Sequence, residues 1–133
     1  MIRLIRDNRG QALVEMALVL PIFILTLLGI LEFGRLFSGE LELQNAARDL
    51  VRFAAVSKSI EIPDDAENWI KANRLNLLQP SKLHVTGFTR TSGSNKYVEV
   101  TVQYEMDILT PVISSILGNP YTLNAKMAIR SEV

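Results

Sequence analysis

The sequence predicts an α+β protein, in which a long N-terminal helix, membrane-spanning at first and amphipathic further on, packs on a small antiparallel β-sheet with additional short helices. Three observations predict this fold. An apolar run extends from Ala12 to Leu31, and beyond it apolar residues recur every three or four positions as far as Ala54. After Pro80 the apolar spacing changes to two, which is typical of strands with one face in water.

Length and charge limit the possible classes of function. The chain has 133 residues, enough for one domain with a modest core. Its 14 basic and 14 acidic residues cancel, and it contains no nucleic-acid-binding motif or basic-aromatic patch, so we expect no nucleic-acid partner. The absence of cysteine excludes disulfides, thiolate catalysis and zinc bound by cysteine.

The apolar run has the length of a transmembrane helix. Roughly 20 residues are needed to cross a hydrocarbon core of about 30 Å. No A-x-A cleavage pattern follows the run and helical spacing continues, so we expect the segment to be retained rather than removed as a signal peptide. Arg3, Arg6 and Arg9, opposed only by Asp7, predict a cytoplasmic N-terminus, with the chain beyond about Glu32 on the other side of the membrane.

Pro21 lies inside the apolar run and predicts a helix kink. Proline lacks a backbone N–H, and its ring crowds the preceding turn. The sequence is compatible both with an incidental bend and with a functional hinge at this position.

Glu15 places a carboxylate in the same run. Such a group costs roughly 2.5–3.5 kcal/mol near the bilayer centre and less towards the edge. In one interpretation Glu15 lies close to the cytoplasmic interface and reaches the headgroups. In the other it has a positive partner: a cut between Gly10 and Gln11 creates an ammonium group one helical turn from Glu15, on the same helix or on that of a neighbouring subunit.

Two stretches resemble a known protein family. The string RGQALVE, residues 9–15, resembles a type IV prepilin processing site, in which a basic leader ends in glycine and the fifth mature residue is glutamate. The longer string GQALVEMALVLPIFILTLLGILEFGRLF and the later QNAARDLVRFAAV (Gln44 to Val56) resemble TadE-like proteins, the minor pilins or pseudopilins of the tight-adherence (Flp pilus) machinery. Met16 departs from the pattern, because many Flp-type pilins carry an aromatic residue there.

The resemblance implies a function in pilus assembly. It implies a pilin-like fold, cleavage after Gly10 by a prepilin peptidase, and contacts with other pilin subunits and an inner-membrane assembly platform. The alternative is an uncleaved membrane-anchored module whose outer domain binds a secreted or envelope partner. The expected organisation is a cytoplasmic leader at 1–10, a transmembrane helix at 11–31, an amphipathic extension at 32–57 and an extracytoplasmic α+β domain at 58–133.

The amphipathic extension continues the first helix, which we predict from about Gln11 to Val56. Its apolar stripe is interrupted by Glu40. The stripe consists of Phe33, Leu36, Leu43, Ala47, Leu50 and Ala54.

Two further helices are predicted. Pro63 begins the first of them and Pro80 stops it, with Trp69 expected in the core. Its apolar side comprises Ala66, Trp69, Ile70, Leu77 and Leu78. Thr110 is the predicted N-cap of a short apolar helix that ends at Gly118.

Three strands complete the predicted domain. Leu83 to Arg90 and Tyr97 to Asp107 alternate apolar and polar residues and are joined by a turn at 91–95. A last strand starts at Tyr121, and the order of strands in the sheet is left open. Ser57 to Pro63 is a predicted connector.

The sequence predicts no catalytic residues, no metal site, no cofactor and no small-molecule substrate. His84 is the single histidine and is expected on the polar side of its strand. No P-loop, GxGxxG or nucleophile elbow occurs, and the serines at 114–115 are expected in a solvated helix. Asp64, Asp65 and Glu67 have the charge to recruit a cation, but their place at a helix start explains them without one.

Overall fold

The computed structural model describes residues 8–57, 63–73, 75–76, 78–91 and 96–131. Within these ranges it confirms the α+β prediction: a long α-helix, two short α-helices, one turn of 3₁₀ helix at Pro80–Lys82 and a three-stranded antiparallel sheet. The elements are α1 (Asn8–Val56), α2 (Pro63–Asn73), β1 (Leu83–Thr91), β2 (Tyr97–Met106), α3 (Pro111–Leu117) and β3 (Tyr121–Arg130). Most of the predicted connector and of the predicted 91–95 turn lies outside the described residues.

The sheet has the order β1-β2-β3, with both pairings antiparallel. Val100 at the centre of β2 lies opposite Phe88 on one side and Met127 on the other. The alternation predicted for β2 is confirmed, because Val98, Val100 and Val102 are all fully buried. Consecutive strands are therefore neighbours throughout, which settles the order that the sequence left open.

The distal half of α1 packs across β2 and β3 and forms the core with them. The predicted stripe is confirmed from Leu36 onward, and Leu43 and Leu50 have no exposed surface. Small residues on the same face, such as Ala47 and Ala54, let the helix lie close to the sheet. Phe33 was wrongly assigned to this stripe, since 59% of its surface is exposed. The buried residue in this turn of α1 is its neighbour Glu32, which is 3% exposed.

Helix α2 begins at Pro63 as predicted but ends at Asn73, well before Pro80. The Asn73 side chain donates to the Trp69 carbonyl at 2.8 Å, a local bond of the kind that competes with a continuing helix. Leu78 is buried as predicted, although it lies outside the helix, and Leu77 lies outside the described residues. Trp69 is half-buried: it packs against the core from its edge, rather than inside it as predicted, and stacks on Phe53 with ring centres 5.1 Å apart.

The distal end of α1 is capped from the sheet. Its last turn contains no basic residue, and the Arg90 guanidinium on β1 donates to the carbonyls of Ala54 at 2.7 Å and Ser57 at 2.8 Å. A cation at this position satisfies terminal carbonyls and opposes the negative end of the helix dipole. This contact fixes the end of the sheet that is farthest from the apolar half of α1.

Candidate functional site: the exposed half of the first helix

The first half of α1 extends beyond the domain as a bare apolar helix. Every residue from Gly10 to Leu28 is exposed. Among the described residues α1 is the one helix long and apolar enough to cross a membrane, and its most apolar stretch has no buried residue. A core helix of a soluble domain would be largely buried, so the exposure supports the predicted membrane segment. The residues that predict its orientation, Arg3, Arg6 and Asp7, lie outside the described residues.

The predicted processing site lies in the first turns of this helix. Because α1 begins at Asn8, slightly before the predicted start, the Gly10–Gln11 peptide bond is part of the helical backbone. Gln11 and Glu15 are both exposed and lie on one face, since they are four residues apart. No hydrogen bond or ion pair joins Glu15 to any residue that the structure describes.

The helix continues without a break through Pro21. One turn further on, the Thr26 hydroxyl donates to the Ile22 carbonyl at 2.9 Å, an extra bond within the helix. The structure therefore excludes a helix end at Pro21, and the kink stays a prediction.

Glu32 is the residue that the sequence interpretation missed. Only 3% of its surface is exposed, and its carboxylate accepts three hydrogen bonds. The Arg35 guanidinium donates at 3.0 Å, the Leu109 amide at 3.3 Å and the Thr110 hydroxyl at 3.1 Å. A buried carboxylate is costly unless it is paired and hydrogen-bonded, and here all three donors are supplied within the chain.

The sequence carried a signal for this role. Glu32 lies four residues before Leu36 and eleven before Leu43, so it falls on the buried stripe where Phe33 had been placed. Thr110 is in the predicted N-cap position of α3, but its side chain makes no cap bond and donates to Glu32 instead. Glu32 thus joins the turn of α1 that follows its exposed apolar half to the connection between β2 and β3.

The next two turns of α1 continue this attachment. Arg35 also donates to the Asp107 carbonyl at 3.2 Å. At Gly39 the helix lies so close to the sheet that an added Cβ would be 2.9 Å from the Met106 Cε and 3.3 Å from the Leu123 Cδ1. Glycine at this position lets the two elements approach closely, because any larger residue would force the Met106 and Leu123 side chains to shift.

A second carboxylate, Glu67 of α2, is bound to the edge of the sheet. It accepts from the Lys71 ammonium at 2.5 Å and from the Val85 amide of β1 at 3.0 Å, and the His84 Nδ1 lies 3.8 Å away. Burial opposes its charge, but the bonds from Lys71 and Val85 outweigh burial and lower the pKa of Glu67 below its ordinary 4.5. His84 is exposed on the polar side of β1, as predicted.

The described residues include no cluster of three acids or histidines placed to hold a metal ion. The Glu67 carboxylate already accepts hydrogen bonds from Lys71 and Val85. Asp64 and Asp65 lie in the first turn of α2. The hydroxyls of Ser114 and Ser115 both donate to the Pro111 carbonyl, at 2.9 and 2.8 Å, so they serve the helix that contains them.

The α+β fold and the exposed apolar helix together define the class of protein: a folded domain with an N-terminal helix that is able to anchor it in a membrane. The model of the TadE-like protein family matches residues 10–52, about a third of the chain. This match confirms the resemblance over the exposed half of α1 and most of its packed half. That family is structural and is not known for catalysis. No curated protein and no solved structure matches the chain.

Proposed function

We propose that the protein is a minor pilin, or pseudopilin, that takes part in assembly of a Flp-type pilus after a prepilin peptidase cuts its leader at Gly10. The leader comprises residues 1–10, residues 11–31 cross the inner membrane, residues 32–57 extend the helix, and residues 58–133 complete the extracytoplasmic domain. The N-terminus is cytoplasmic. Its partners are the peptidase, other pilin subunits, the assembly platform and the bilayer.

The observation that supports this proposal most strongly is the position of Glu15. It is a carboxylate on an exposed apolar helix, with no bond to any described residue. A cut after Gly10 supplies the missing cation at Gln11, one turn away on the same face. In a bundle of such helices, the amine of one subunit pairs with Glu15 of the next, and the cost of an unpaired charge fixes their axial register.

The alternative function is that of an uncleaved membrane anchor carrying an interaction module of the pilus or secretion machinery. One observation favours it: α1 runs without a break through the Gly10–Gln11 bond. A peptide bond inside a regular helix is a poorer protease substrate than an extended one, so cleavage requires the first turns of α1 to unwind.

Mass spectrometry of the N-terminus distinguishes the two functions. We expect protein extracted from the membranes of cells with an active prepilin peptidase to begin at Gln11. The Gly10→Val variant should keep its leader, because a subsite shaped for glycine rejects a side chain. Gly29→Val is the matched control: an added Cβ at Gly29 meets nothing within 4 Å, so this variant should be cut like the wild type.

A wild-type chain that retains its leader in these cells would overturn the proposal and leave the anchored module. Fractionation adds an independent measurement. A minor pilin should be recovered in part with sheared fibres, whereas an anchored module should remain entirely with the membrane.

A further inference from the structure

The connection between β2 and β3 runs along α1 towards the apolar end of that helix. Met106, the last residue of β2, lies against Gly39, and the Asp107 carbonyl binds Arg35. The Leu109 amide and Thr110 hydroxyl then reach Glu32. From Gly39 to Glu32 the chain descends about 10 Å along the helix axis, at 1.5 Å per residue. Helix α3 follows at once, at the level where the apolar run of α1 ends.

No side chain of helix α3 is fully buried, although Ile113 is half-buried against the domain. Leu109, Val112 and Ile116 are 70, 52 and 77% exposed, so the large apolar residues at this position face outward. Apolar side chains on a short helix normally pack on a core. Here the domain leaves Leu109, Val112 and Ile116 largely uncovered, which favours a surface outside the domain as their contact.

The exposed patch is continuous with the apolar surface of α1. Leu117 and Tyr121 line one surface cavity with Phe33 and Phe37, which are 59 and 63% exposed, and Glu40 lies at the same cavity. Leu31, the last residue of the apolar run, is 66% exposed. One apolar surface therefore extends from the membrane segment onto α3.

The segment that contains α3 has no charged residues. No Asp, Glu, Lys or Arg occurs between Asp107 and Lys126, although 21% of all residues are charged. The position of α3 is also fixed at both ends, because Glu32 binds its start and the Asn119 side chain bonds both the amide and the carbonyl of Ile108, at 3.1 and 3.3 Å. Helix α3 lacks the basic polar face of a typical interfacial helix, but its exposed apolar side chains carry no charge that would have to be desolvated on entering the boundary between headgroups and acyl chains, where such helices insert by about 5–10 Å.

We propose that α3 is a membrane-surface anchor: the side chains of Leu109, Val112 and Ile116 insert into the leaflet from which α1 emerges. The occupant of the patch is lipid, because the patch continues the lipid-facing surface of α1. The inference rests on the proposed membrane crossing of α1. With α1 as the first attachment point and α3 as the second, the domain is held against the bilayer in one orientation before the subunit is assembled.

Site-directed spin labelling tests the depth of α3 in the full chain. The protein contains no cysteine, so Ile116→Cys, Ile22→Cys and Thr89→Cys each give one labelled position. Ile22 lies in the apolar run, and Thr89 is exposed on β1 next to Arg90, which caps the far end of α1. Each nitroxide-labelled chain is placed in nanodiscs of phosphatidylethanolamine and phosphatidylglycerol. Its collisions with dioxygen, which concentrates in lipid, are then compared with those of a water-soluble nickel chelate.

We expect the ratio of dioxygen to nickel accessibility at Ile116 to exceed the ratio at Thr89 severalfold and to approach that at Ile22. Equal ratios at Ile116 and Thr89 would place α3 in water and overturn the inference. Shielding of Ile116 from both reagents would mean that protein covers it, which also overturns the inference. A low ratio at Ile22 would instead overturn the membrane crossing itself. Val112→Cys repeats the measurement should Ile116→Cys misfold.

Discussion

Two glutamates on one helix show how differently a carboxylate is accommodated in the two halves of α1. Glu32, in the packed half, is almost completely buried and accepts three hydrogen bonds from its own chain. Glu15, in the bare half, is exposed and bonded to none of the described residues. The domain satisfies Glu32, whereas it supplies no hydrogen bond or ion pair to Glu15 among the described residues.

Because of this difference, substitutions at the two glutamates should separate effects on the stability of the subunit from effects on its assembly. Removing Glu32 removes contacts within the folded subunit and should therefore change its unfolding. Removing Glu15 removes no contact within the described subunit and should change only its interaction with something else. The two substitutions should consequently have opposite profiles when folding and pilus incorporation are measured side by side.

The largest effect is expected for Glu15→Ala on assembly. We expect the amount of protein in sheared fibres to fall at least tenfold, since about 1.4 kcal/mol of lost subunit contact changes an association constant tenfold. Its amount in the membrane and its Tm should stay the same. Quantitative immunoblots of the sheared and membrane fractions measure the change.

Glu40→Ala is the matched control for Glu15→Ala, because Glu40 is an exposed glutamate of the same helix that accepts a bond only from Gln44 among the described residues. It should assemble like the wild type. Normal incorporation of Glu15→Ala into fibres, or an equal loss in both variants, would contradict a specific charge pair at Glu15.

Glu32→Ala should have the largest effect on folding. The change leaves the Leu109 amide and Thr110 hydroxyl without their acceptor, and we expect the free energy of unfolding to fall by about 2–3 kcal/mol. The ion pair itself adds little, because 40% of the Arg35 side chain is exposed to solvent. Thermal unfolding of the full chain in detergent, followed by the fluorescence of Trp69, measures the loss. A Tm equal to that of Glu40→Ala would show that Glu32 is not needed to hold the β2–β3 connection.

The contrast between these glutamates marks the limit of what sequence patterns predict. Hydrophobic length and periodicity predicted α1 and the alternation of β2, because both depend on residues close together in the chain. The bond between Glu32 and Thr110 joins residues 78 positions apart, and no local pattern reports it. The early end of α2 at Asn73 was missed for a related reason: Leu78 is buried by tertiary packing, and its burial looks like helical periodicity in the sequence.

Two glycines of α1 allow the same comparison between its exposed and packed parts, with a smaller expected change in the free energy of unfolding. An added Cβ meets nothing within 4 Å at Gly34 but meets Met106 and Leu123 at Gly39. Gly39→Val should lower the free energy of unfolding by about 2 kcal/mol through overpacking. Gly34→Val should be neutral or slightly stabilising, because glycine is the weaker helix former. Equal Tm values for the two variants would mean that α1 and the sheet are not in close contact at Gly39.

Substitution of Glu67 should have the smallest effect on stability. The dependence of that effect on pH distinguishes a contribution of the carboxylate charge from one of packing. Its pKa is lowered in the folded protein, so the unfolded chain binds more protons between that pKa and the ordinary 4.5. The stabilisation is therefore complete above pH 4.5 and is lost as the pH falls through the folded pKa. We expect the Tm of the wild type to exceed that of Glu67→Gln by a few degrees at most near pH 6, with the gap closing as the pH falls below 4.5. Glu105→Gln, which changes an exposed carboxylate on β2, is the control. A gap that stayed constant across this range would show that Glu67 stabilises the domain by packing rather than by its charge.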